Sequence, residues 1–390
     1  MIFHDTLFIG SLAGALLGFG SADLSAQEPA IQIEKEGSVR FIPISLSGFS
    51  GEAQAALKFD LEIAGFDLVS PDAAQFIVTG NNNGAVEGRV TDRVRKSELF
   101  ANRYEGETPR SQAHALADDI VLKVTGKPGI ARSKIAFKGE NTGRMEIYIS
   151  DYDGANARPA TQDNAIVAAP SVAPGMRKLF YTSYKSGYPD IYAHDLVTGQ
   201  RMAIAKYSGS NISPAVSSDG RRVAMIISKD GNPELYVCDA DGANLKRLTQ
   251  TKEDESSPCW SPDGQFVCVV SRREGTPALY VIPASGGPMR RLRTAGAGSV
   301  TEPEWSPDGK WIAFTTLSRP FQICRVAAQG GAAEVLCAGE DPSWAPNSRT
   351  IIFTRRAGDR RNLSLLDAET KRVKTLDRNS GSRSQPSWAK

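Results

Sequence analysis

The chain has 390 residues, which is long enough for two domains or one large repeat array. Its 46 basic and 44 acidic residues leave a net charge of +2, so composition gives no general attraction to nucleic acid or to an anionic membrane surface. The 36 glycines and 22 prolines are typical of a turn-rich β protein.

Residues 1–26 have the pattern of a secretory signal peptide. An apolar run at residues 7–19 has the length of a signal core and is too short to span a bilayer. Leu-Ser-Ala at residues 24–26 then offers a small-residue cleavage site, although no Lys or Arg precedes the apolar run. We therefore predict an exported protein, with a buried N-terminal helix as the alternative.

The next hundred residues predict a small α/β domain. Residues 31–34 alternate apolar and polar side chains like an edge strand, and residues 39–44 form a second, buried strand. Amphipathic helices are predicted at residues 51–64 and 109–124, the second with Pro at its first position. Further strands are predicted at residues 65–69, 76–80, 85–91 and 97–104.

This domain, assigned to residues 27–126, shows no pattern of an active site. It has no Gly-rich phosphate loop after a strand and no cluster of metal ligands. His114 lies on the second predicted helix, where a surface or core histidine is expected rather than a catalytic base. Residues 127–131, Lys-Pro-Gly-Ile-Ala, form the predicted linker to a second domain at residues 132–390.

Two features alternate through residues 132–390. The first is an X-Pro step followed by an apolar hairpin, and its prolines are Pro170, Pro214, Pro258, Pro303, Pro342 and Pro386. The second is a short apolar strand that begins at residues 146, 190, 234, 278, 322 and 362. A period of about 40–45 residues with some four strands is typical of a β-propeller blade. Six repeats therefore predict six blades.

One repeat shows the design of a blade most clearly. Trp305 begins an apolar strand, Ser-Pro-Asp-Gly at residues 306–309 turns the chain, and residues 311–314 return as a second strand. We assign this hairpin to the inner half of blade 4, counting the blade that contains residue 146 as the first.

The two ends of the repeat array predict how the ring closes. The first blade has a strand at residues 134–137 but no X-Pro strand before it. The chain finishes with an X-Pro strand at residues 385–388 and no strand after it. The C-terminal strand is therefore expected to complete the first blade, which removes two open sheet edges.

The five cysteines are Cys238, Cys259, Cys268, Cys324 and Cys337. They lack metal-site spacing, and an odd count argues against a full disulfide framework. Cys259 and Cys268 face each other across a hairpin if its loop has two residues, and a one-residue slip separates them. The favoured interpretation is small buried side chains, with a disulfide between these two as the alternative.

No catalytic residue, metal site or cofactor is predicted from the repeats. Residues 151–156 and 239–244 begin like calcium loops but lack the later ligands, so hairpin turns are expected. No Gly-x-Ser-x-Gly elbow occurs, and His194 lies within a repeat strand. The arginines at residues 355–361 are interpreted as a solvated hairpin, with an acidic partner as the alternative.

The residues just before each X-Pro step are expected in loops that lead into the innermost strands. They would then surround one mouth of the central channel. Their small, polar or acidic side chains suit docking of a peptide or protein, although solvated loops have the same composition. These stretches are residues 168–169, 211–213, 255–257, 300–302, 340–341 and 384–385.

The order of these features resembles the TolB family, the periplasmic components of the Tol–Pal system. Leu-Lys-Val-Thr-Gly at residues 122–126, followed by Arg-Ser-Lys-Ile-Ala at 132–136, is similar to that family's domain junction. Residues 150–156, the Thr-Glu-Pro-Glu-Trp step at 301–305 and the ending at 386–388 also match. The resemblance covers essentially the whole mature chain, and the junction and ending carry most of its specificity.

The resemblance implies a non-enzymatic periplasmic scaffold without a cofactor. Such proteins link the outer-membrane lipoprotein Pal to inner-membrane Tol proteins and support outer-membrane integrity and cell division. By similarity, the Pal-binding residues at the propeller mouth are Ser210, Asn211, Ser213, Ser256, Ser257, Thr301 and Glu302. The family's N-terminal strand engages TolA, and its counterpart here is residues 27–37, with Ile31 and Ile33 on the pairing strand.

Two other functions remain open at this point. One is a propeller scaffold that binds a different envelope partner. The other is a propeller remnant of a prolyl-peptidase-type hydrolase, which would need an α/β-hydrolase domain for which this chain has no room.

Overall fold

The structure is a computed structural model that describes residues 41–141, 143–376 and 381–389. Within these ranges the chain forms an N-terminal α/β domain and a six-bladed β-propeller, as predicted. The signal segment and the predicted strand at residues 31–34, with Ile31 and Ile33, lie outside the described residues.

The α/β domain is a five-stranded sheet against which two helices pack. The strand order is β2-β1-β3-β4-β5; β1 runs parallel to β2 and β3, and the remaining pairs are antiparallel. The elements are β1 (Ile42–Ser47), α1 (Gly51–Ile63), β2 (Phe66–Leu68), β3 (Phe76–Asn81), β4 (Val86–Asp92), β5 (Ser97–Tyr104) and α2 (Pro109–Thr125).

The limits of α2 follow from its capping residues. The hydroxyl of Thr108 accepts a hydrogen bond from the Ser111 backbone N–H at 3.1 Å, and Pro109 occupies the first helical turn. Gly126 ends the helix in the left-handed conformation, with φ of 71°, and donates its N–H to the Leu122 carbonyl. Both predicted helices are confirmed to within a residue or two.

Each blade is a four-stranded antiparallel sheet. From the channel outward, the strands are Ser382–Trp388, Lys134–Asn141, Arg144–Asp151 and Arg158–Pro159 in blade 1; Val167–Val172, Lys178–Ser183, Asp190–Asp195 and Arg201–Ala205 in blade 2; Asn211–Val216, Arg222–Ile227, Glu234–Asp239 and Lys246–Arg247 in blade 3; Glu255–Trp260, Phe266–Ser271, Ala278–Pro283 and Arg290–Arg291 in blade 4; Val300–Trp305, Trp311–Thr316, Gln322–Ala327 and Glu334–Ala338 in blade 5; and Glu340–Trp344, Thr350–Ala357, Arg360–Asp367 and Val373–Thr375 in blade 6.

Three short elements supplement the blades. A parallel pair joins Thr294–Ala295 to Gly331–Ala332, and a 3-10 turn covers Pro174–Met176. The hairpin turned by residues 306–309 lies in blade 5 and not in blade 4, because its second strand pairs with Gln322–Ala327, the fifth of the recurring strands. Its first strand, Val300–Trp305, ends at Trp305 and does not begin there as predicted.

The C-terminal strand closes the ring as predicted. Ser382–Trp388 pairs antiparallel with Lys134–Asn141, which places Trp388 opposite Ile135. The Trp388 side chain is buried, and its indole N–H donates to the Ser133 hydroxyl at 2.8 Å. The last strand of the chain thus supplies the innermost strand of the first blade.

An X-Pro step interrupts the pairing of every innermost strand. The register between the innermost strand and its neighbour shifts at this step in all six blades. Each innermost strand has one unpaired edge toward the channel, and proline is tolerated at edges and bulges because it has no N–H to donate. The repeated prolines therefore protect the inner edge of each sheet from further strand pairing.

Tryptophans near the ends of the innermost strands join neighbouring blades. The Trp260 indole N–H donates to the Ala215 carbonyl at 2.8 Å, from blade 4 to blade 3. The Trp344 indole donates in the same way to the Glu304 carbonyl at 3.1 Å, from blade 6 to blade 5. These side chains combine a large apolar contact with one directed hydrogen bond between blades.

The α/β domain packs against turns of blades 1 and 6. Tyr152, in the turn after the third strand of blade 1, is fully buried and donates its hydroxyl to Asp60 of α1. Arg372, in the corresponding turn of blade 6, donates to the carbonyls of Phe66 at 2.8 Å and Glu62 at 3.2 Å. We call this side of the propeller the covered end. The innermost strands begin at the opposite side, which we call the open end.

The cysteines are part of the propeller core. Cys259 and Cys268 are direct cross-strand partners, although the loop between Trp260 and Phe266 is longer than the two residues on which that expectation rested. All five cysteines are thiols, four of them buried and Cys337 half-buried. Burial raises the pKa of the thiol of Cys238 to about 12, and of Cys324 to about 11. These two thiols are therefore protonated, and not nucleophilic, near neutral pH.

Candidate functional site: the propeller channel and its open end

The propeller channel contains a cavity of about 380 Å³ lined by all six innermost strands. It extends from the residues that precede the six prolines to the turns at the covered end. The residues that precede the prolines are Ala169, Ser213, Ser257, Glu302, Asp341 and Gln385, one from each blade. We call these six residues the channel ring.

The channel ring has a strained and regular backbone. All six residues have positive φ, between 49° and 56°. This left-handed conformation costs a residue with a Cβ atom about 1–3 kcal/mol. It occurs where the register of each innermost strand shifts, so the strain is a consequence of the bulge that accommodates each proline.

Side chains of the channel ring connect successive blades. The Glu302 carboxylate accepts the Asp341 backbone N–H at 3.0 Å, and the Asp341 carboxyl group accepts the Gln385 N–H at 3.1 Å. The Gln385 side-chain oxygen then accepts the Ala169 N–H at 3.1 Å. Blades 5, 6, 1 and 2 are thus joined through the side chains of the ring.

Two acids of the ring are neighbours. Threonine hydroxyls donate to both: Thr315 to Glu302 at 2.7 Å and Thr354 to Asp341 at 2.9 Å. Burial and the adjacent Glu302 carboxylate raise the pKa of Asp341 well above its usual range. This side of the channel therefore presents two adjacent carboxyl groups, and burial favours the protonated form of Asp341.

The structure brings together some of the predicted site residues in the channel. Ser213, Ser257 and Glu302 line the cavity. Ser256 and Thr301 immediately precede ring residues and are half-buried. These residues lie within the innermost strands and not in loops that lead to them, because each strand begins two residues before its bulge.

The two remaining propeller residues of the predicted site have structural contacts. Asn211 is fully buried, and its amide donates to the carbonyls of Tyr207 at 2.8 Å and Pro189 at 3.3 Å. The Ser210 N–H donates to the Ser228 hydroxyl at 2.8 Å. Both residues fix the start of the blade 3 innermost strand.

Sequence reasoning did not select every residue of the ring. Asp341 and Gln385 lie in the predicted mouth stretches but were not chosen as binding residues, although they occupy the same position before Pro as Ser213 and Glu302. The sequence signal that identifies both residues is their position directly before a repeat proline. The pairing between Asp341 and Glu302 had no such signal, because it depends on the contact between two blades.

The two calcium-like sequences form hairpin turns, as predicted. In each, the asparagine amide donates to the first aspartate, from Asn156 to Asp151 at 2.7 Å and from Asn244 to Asp239 at 2.6 Å. Across the described ranges, no group of three or more His, Cys, Asp or Glu side chains could hold a metal ion.

The basic hairpin of blade 6 extends the open end. Arg356 and Arg361 are cross-strand partners, a repulsive arrangement for two cations. Glu340 bridges them, at 2.8 Å from Arg356 and 3.1 Å from Arg361. Arg355 and Arg360 are exposed beside them. The hairpin is therefore partly neutralised at its base and basic at its solvent-facing tip.

Aromatic side chains are exposed at the open end of blade 2. Tyr188 is 74% exposed and Tyr184 is 38% exposed, both in the turn between the second and third strands. Lys185, in the same turn, stacks over the ring of Tyr192 at 3.9 Å. Of the helices that the structure describes, none combines the length and apolar character that crossing a membrane requires.

Fold and channel define this molecule as a six-bladed β-propeller with an α/β domain on one end. The family model for the TolB beta propeller domain matches residues 121–390. The chain therefore belongs to the TolB β-propeller domain family.

Individual relatives agree with this assignment. A Tol-Pal system protein TolB from Aromatoleum aromaticum is 32% identical over 241 residues, which cover 53% of this chain and 54% of that protein. One from a Polaromonas species is 30% identical over 225 residues, 49% of this chain and 53% of that protein. The chain thus spans about half the length of the curated relatives that it matches.

The fold extends beyond the aligned segments. The crystal structure of TolB from Acinetobacter baumannii superposes with a TM-score of 0.81 at 24% identity, and the match covers 90% of this chain and 97% of that one. This likeness includes the α/β domain and shows that the overall fold is shared.

Proposed function

We propose that this protein is a non-enzymatic scaffold of the Tol-Pal system in the periplasm. It binds a Pal-type outer-membrane lipoprotein at the open end of the propeller and Tol proteins through its N-terminal region. In this way it supports outer-membrane integrity and cell division. The observation that carries the proposal is the match of residues 121–390 to the TolB β-propeller domain, together with the names of the relatives. The proposed division is a signal peptide at 1–26, the α/β domain at 27–126, a linker at 127–131 and the propeller at 132–390.

The geometry supports the open end as the docking surface. The α/β domain packs on the opposite end, so the partner has access to the turns around the channel. Ser256, Ser257, Thr301 and Glu302 present hydroxyl and carboxyl groups there, and exposed tyrosines of blade 2 and arginines of blade 6 belong to the same end. Protein interfaces are enriched in Tyr and Arg, and polar rims add directional hydrogen bonds.

The titratable groups of the propeller and its channel ring support binding and not turnover. Protonated thiols cannot act as nucleophiles near neutral pH. Burial, together with nearby Arg201, lowers the pKa of His194, so this imidazole is neutral at pH 7. The carboxyl groups of the ring are engaged with backbone N–H groups and threonine hydroxyls.

Calorimetric titration with the soluble domain of the Pal-type protein from the same organism tests the proposal. We expect Thr301→Arg to weaken binding at least about tenfold, because a long cation at a half-buried position obstructs close packing of the partner. Thr198→Arg is the matched control, since Thr198 is exposed in a turn at the covered end. Absence of wild-type binding, or equal weakening by both substitutions, would contradict the proposal.

The proposed binding of Tol proteins by the N-terminal region is tested with separate variants. Ile31→Asp with Ile33→Asp should abolish binding to a TolA-type protein while Pal-type binding persists, because both apolar side chains belong to the predicted pairing strand. Gln32→Asp introduces charge on the other face of that strand and should have a smaller effect. Unchanged TolA-type binding in the double variant would remove residues 27–37 from the proposed site.

A further inference from the structure

Two glutamates meet inside the propeller at the open end. Glu234 is the first residue of the third strand of blade 3, and Glu255 is the first residue of the innermost strand of blade 4. Their side chains are almost completely buried, at 0% and 1% exposure for the two residues. Two buried carboxylates repel each other strongly unless a proton or a cation compensates one of them.

The surrounding hydrogen bonds define which oxygen is available for a proton. Arg247 and the Thr251 backbone N–H both donate to Glu234 Oε1, at 2.9 and 2.7 Å. Ser271 donates to Glu255 Oε1 at 2.9 Å. The buried Oε2 of Glu234 receives no hydrogen bond from an ordinary donor of the described residues. The two carboxyl groups are in hydrogen-bond contact, so a proton on Glu255 would supply the donor that this oxygen lacks.

The cations around the pair compensate one negative charge but not two. Arg247 is the cation in direct contact, and it also lies 3.6 Å from Asp230. Asp230 in turn accepts the Tyr236 hydroxyl at 2.6 Å and lies 3.7 Å from Lys229. The other charged residues nearby are exposed: Lys252, Glu253 and Asp254 in the adjoining loop, and Arg272 and Arg273 after Ser271. Burial and the adjacent Glu234 raise the pKa of Glu255 to about 8.

Neighbouring blades provide an internal comparison. One blade earlier, the same two strand positions hold Asp190 and Asn211, with the amide nitrogen 3.5 Å from the carboxylate. One blade later they hold Ala278 and Val300, both buried. An acid–amide pair and an apolar pair need no proton at these positions. The acid–acid pair between blades 3 and 4 needs one.

The pair is also attached to a loop of the open end. The Thr251 hydroxyl lies 3.0 and 3.1 Å from the two oxygens of Glu255, while its N–H contacts Glu234. Asn232 secures the same loop through the Glu253 carbonyl at 2.6 Å. Thr251 thus attaches residues 250–254 to both carboxyl groups, and Asn232 holds the loop separately through its backbone.

We propose that Glu234 and Glu255 share one proton and act as a pH-sensitive latch on the loop of residues 250–254. With the proton present, the pair carries a single charge that Arg247 balances, and the loop is closed. Loss of the proton places two adjacent carboxylates in the interior, and the loop opens to admit water. Ser256 and Ser257 follow directly, so the latch also regulates partner binding at the open end; this last step rests on the proposed function.

The pH dependence of thermal unfolding tests the latch without a partner. The folded-state pKa of Glu255 is raised above that of an unfolded glutamate, so the folded protein binds more protons. Its stability therefore falls as pH rises from about 4.5 to about 8 and levels off above that. Glu255→Gln supplies the hydrogen bond without a titratable proton. Its melting temperature should equal that of the wild type at pH 4.5 and exceed it by about 5 °C at pH 8.

Two further variants make the result specific. Glu234→Gln should flatten the same part of the profile, and combining it with Glu255→Gln should add no further flattening, because one proton is shared by the pair. Glu253→Gln removes an exposed charge from the same loop and should leave the wild-type profile unchanged. A Glu255→Gln profile parallel to that of the wild type would overturn the latch.

Titration with the Pal-type domain at pH 6 and pH 9 tests the regulatory step. Wild-type affinity should be lower at pH 9, and Glu255→Gln should reduce this difference at least about threefold. If the unfolding profiles agree but affinity does not change with pH, the regulatory step is refuted. If no binding occurs at either pH, the proposed function fails, while the unfolding data still decide the latch.

Discussion

Both ends of the propeller consist of turns that recur from blade to blade, but the two ends are stabilised in different ways. At the covered end, buried polar groups find partners in the α/β domain: Asp60 accepts from Tyr152 and lies 2.7 Å from His114 Nδ1. At the open end, the propeller itself holds the unfavourable features: the channel ring has a strained backbone, and Glu234 and Glu255 are adjacent buried acids. Under the proposed function, the covered end stabilises the fold and the open end binds the partner.

The covered end also joins the chain's last strand to its first domain. The rings of Trp388 and Tyr152 are 6.1 Å apart, and Arg110 of α2 forms a buried ion pair with Asp153. A buried ion pair is strongly destabilising when one partner is removed. The closure of the ring and the docking of the domain are therefore expected to unfold together.

The largest effect is expected from removing the closing strand. A chain that ends at residue 381 lacks Ser382–Trp388, which exposes the edge of blade 1 and removes a buried tryptophan. The melting temperature should fall by on the order of 15 °C in calorimetry, with loss of a single transition. Deleting residue 390 alone is the control. An unchanged transition in the longer truncation would refute ring closure as the basis of stability.

A smaller loss is expected when one buried acid of the covered end is removed. Asp60→Ala leaves the Tyr152 hydroxyl and His114 Nδ1 buried without their partner, which should cost about 3 kcal/mol in urea unfolding. Asp67→Ala removes an acid whose ion pair with Arg372 is at the surface, at 3.4 Å, and should cost less than about 1 kcal/mol. Equal losses would contradict the buried network.

At the open end, replacing Asp341 should mainly change how the free energy of unfolding depends on pH, with a smaller change in its value at acidic pH. The raised pKa of Asp341 means that the folded state holds a proton which the unfolded state releases, so stability declines as pH rises above the usual carboxyl range. Asp341→Asn keeps a neutral acceptor and should gain stability relative to the wild type at pH 8 but not at pH 4. A constant difference between pH 4 and 8 would contradict a proton on Asp341.

The smallest effect, with opposite sign, is expected at a turn of the covered end. Backbone N–H groups of Thr198 and Val197 lower the pKa of Asp195. Its contribution is present above the unfolded pKa and is lost as pH falls through the lower folded value. Asp195→Asn should therefore be slightly less stable than the wild type at pH 7 and equal to it at strongly acidic pH, by chemical denaturation. A variant that is more stable at pH 7 would contradict this assignment.

Much of the fold was predictable because its signals are local. The X-Pro step, the turn after Trp305 and the short apolar strand recur together, and each can be recognised within about ten residues. The predicted blade number and ring closure depend on these signals and are confirmed. The blade assignment of the Trp305 hairpin was wrong because it rested on counting and not on a local pattern.

The side-chain contacts at both ends of the propeller were less predictable because they join residues that are separate in the sequence. Tyr152 and Asp60 are 92 residues apart and carry no shared motif. Glu234 and Glu255 begin strands of different blades, and only the assembled ring brings them together. The positive φ of the channel ring was equally hidden, because the residue before a proline normally prefers an extended conformation.

Hydrogen–deuterium exchange with and without the soluble Pal-type domain tests the division between the two ends most directly. We expect added protection in the open-end segments, residues 184–189, 228–233, 250–254 and 317–321, with no change in the covered-end turns at residues 195–200 and 239–244. Protection confined to the covered-end turns, or absent from every segment at saturating partner, would contradict it.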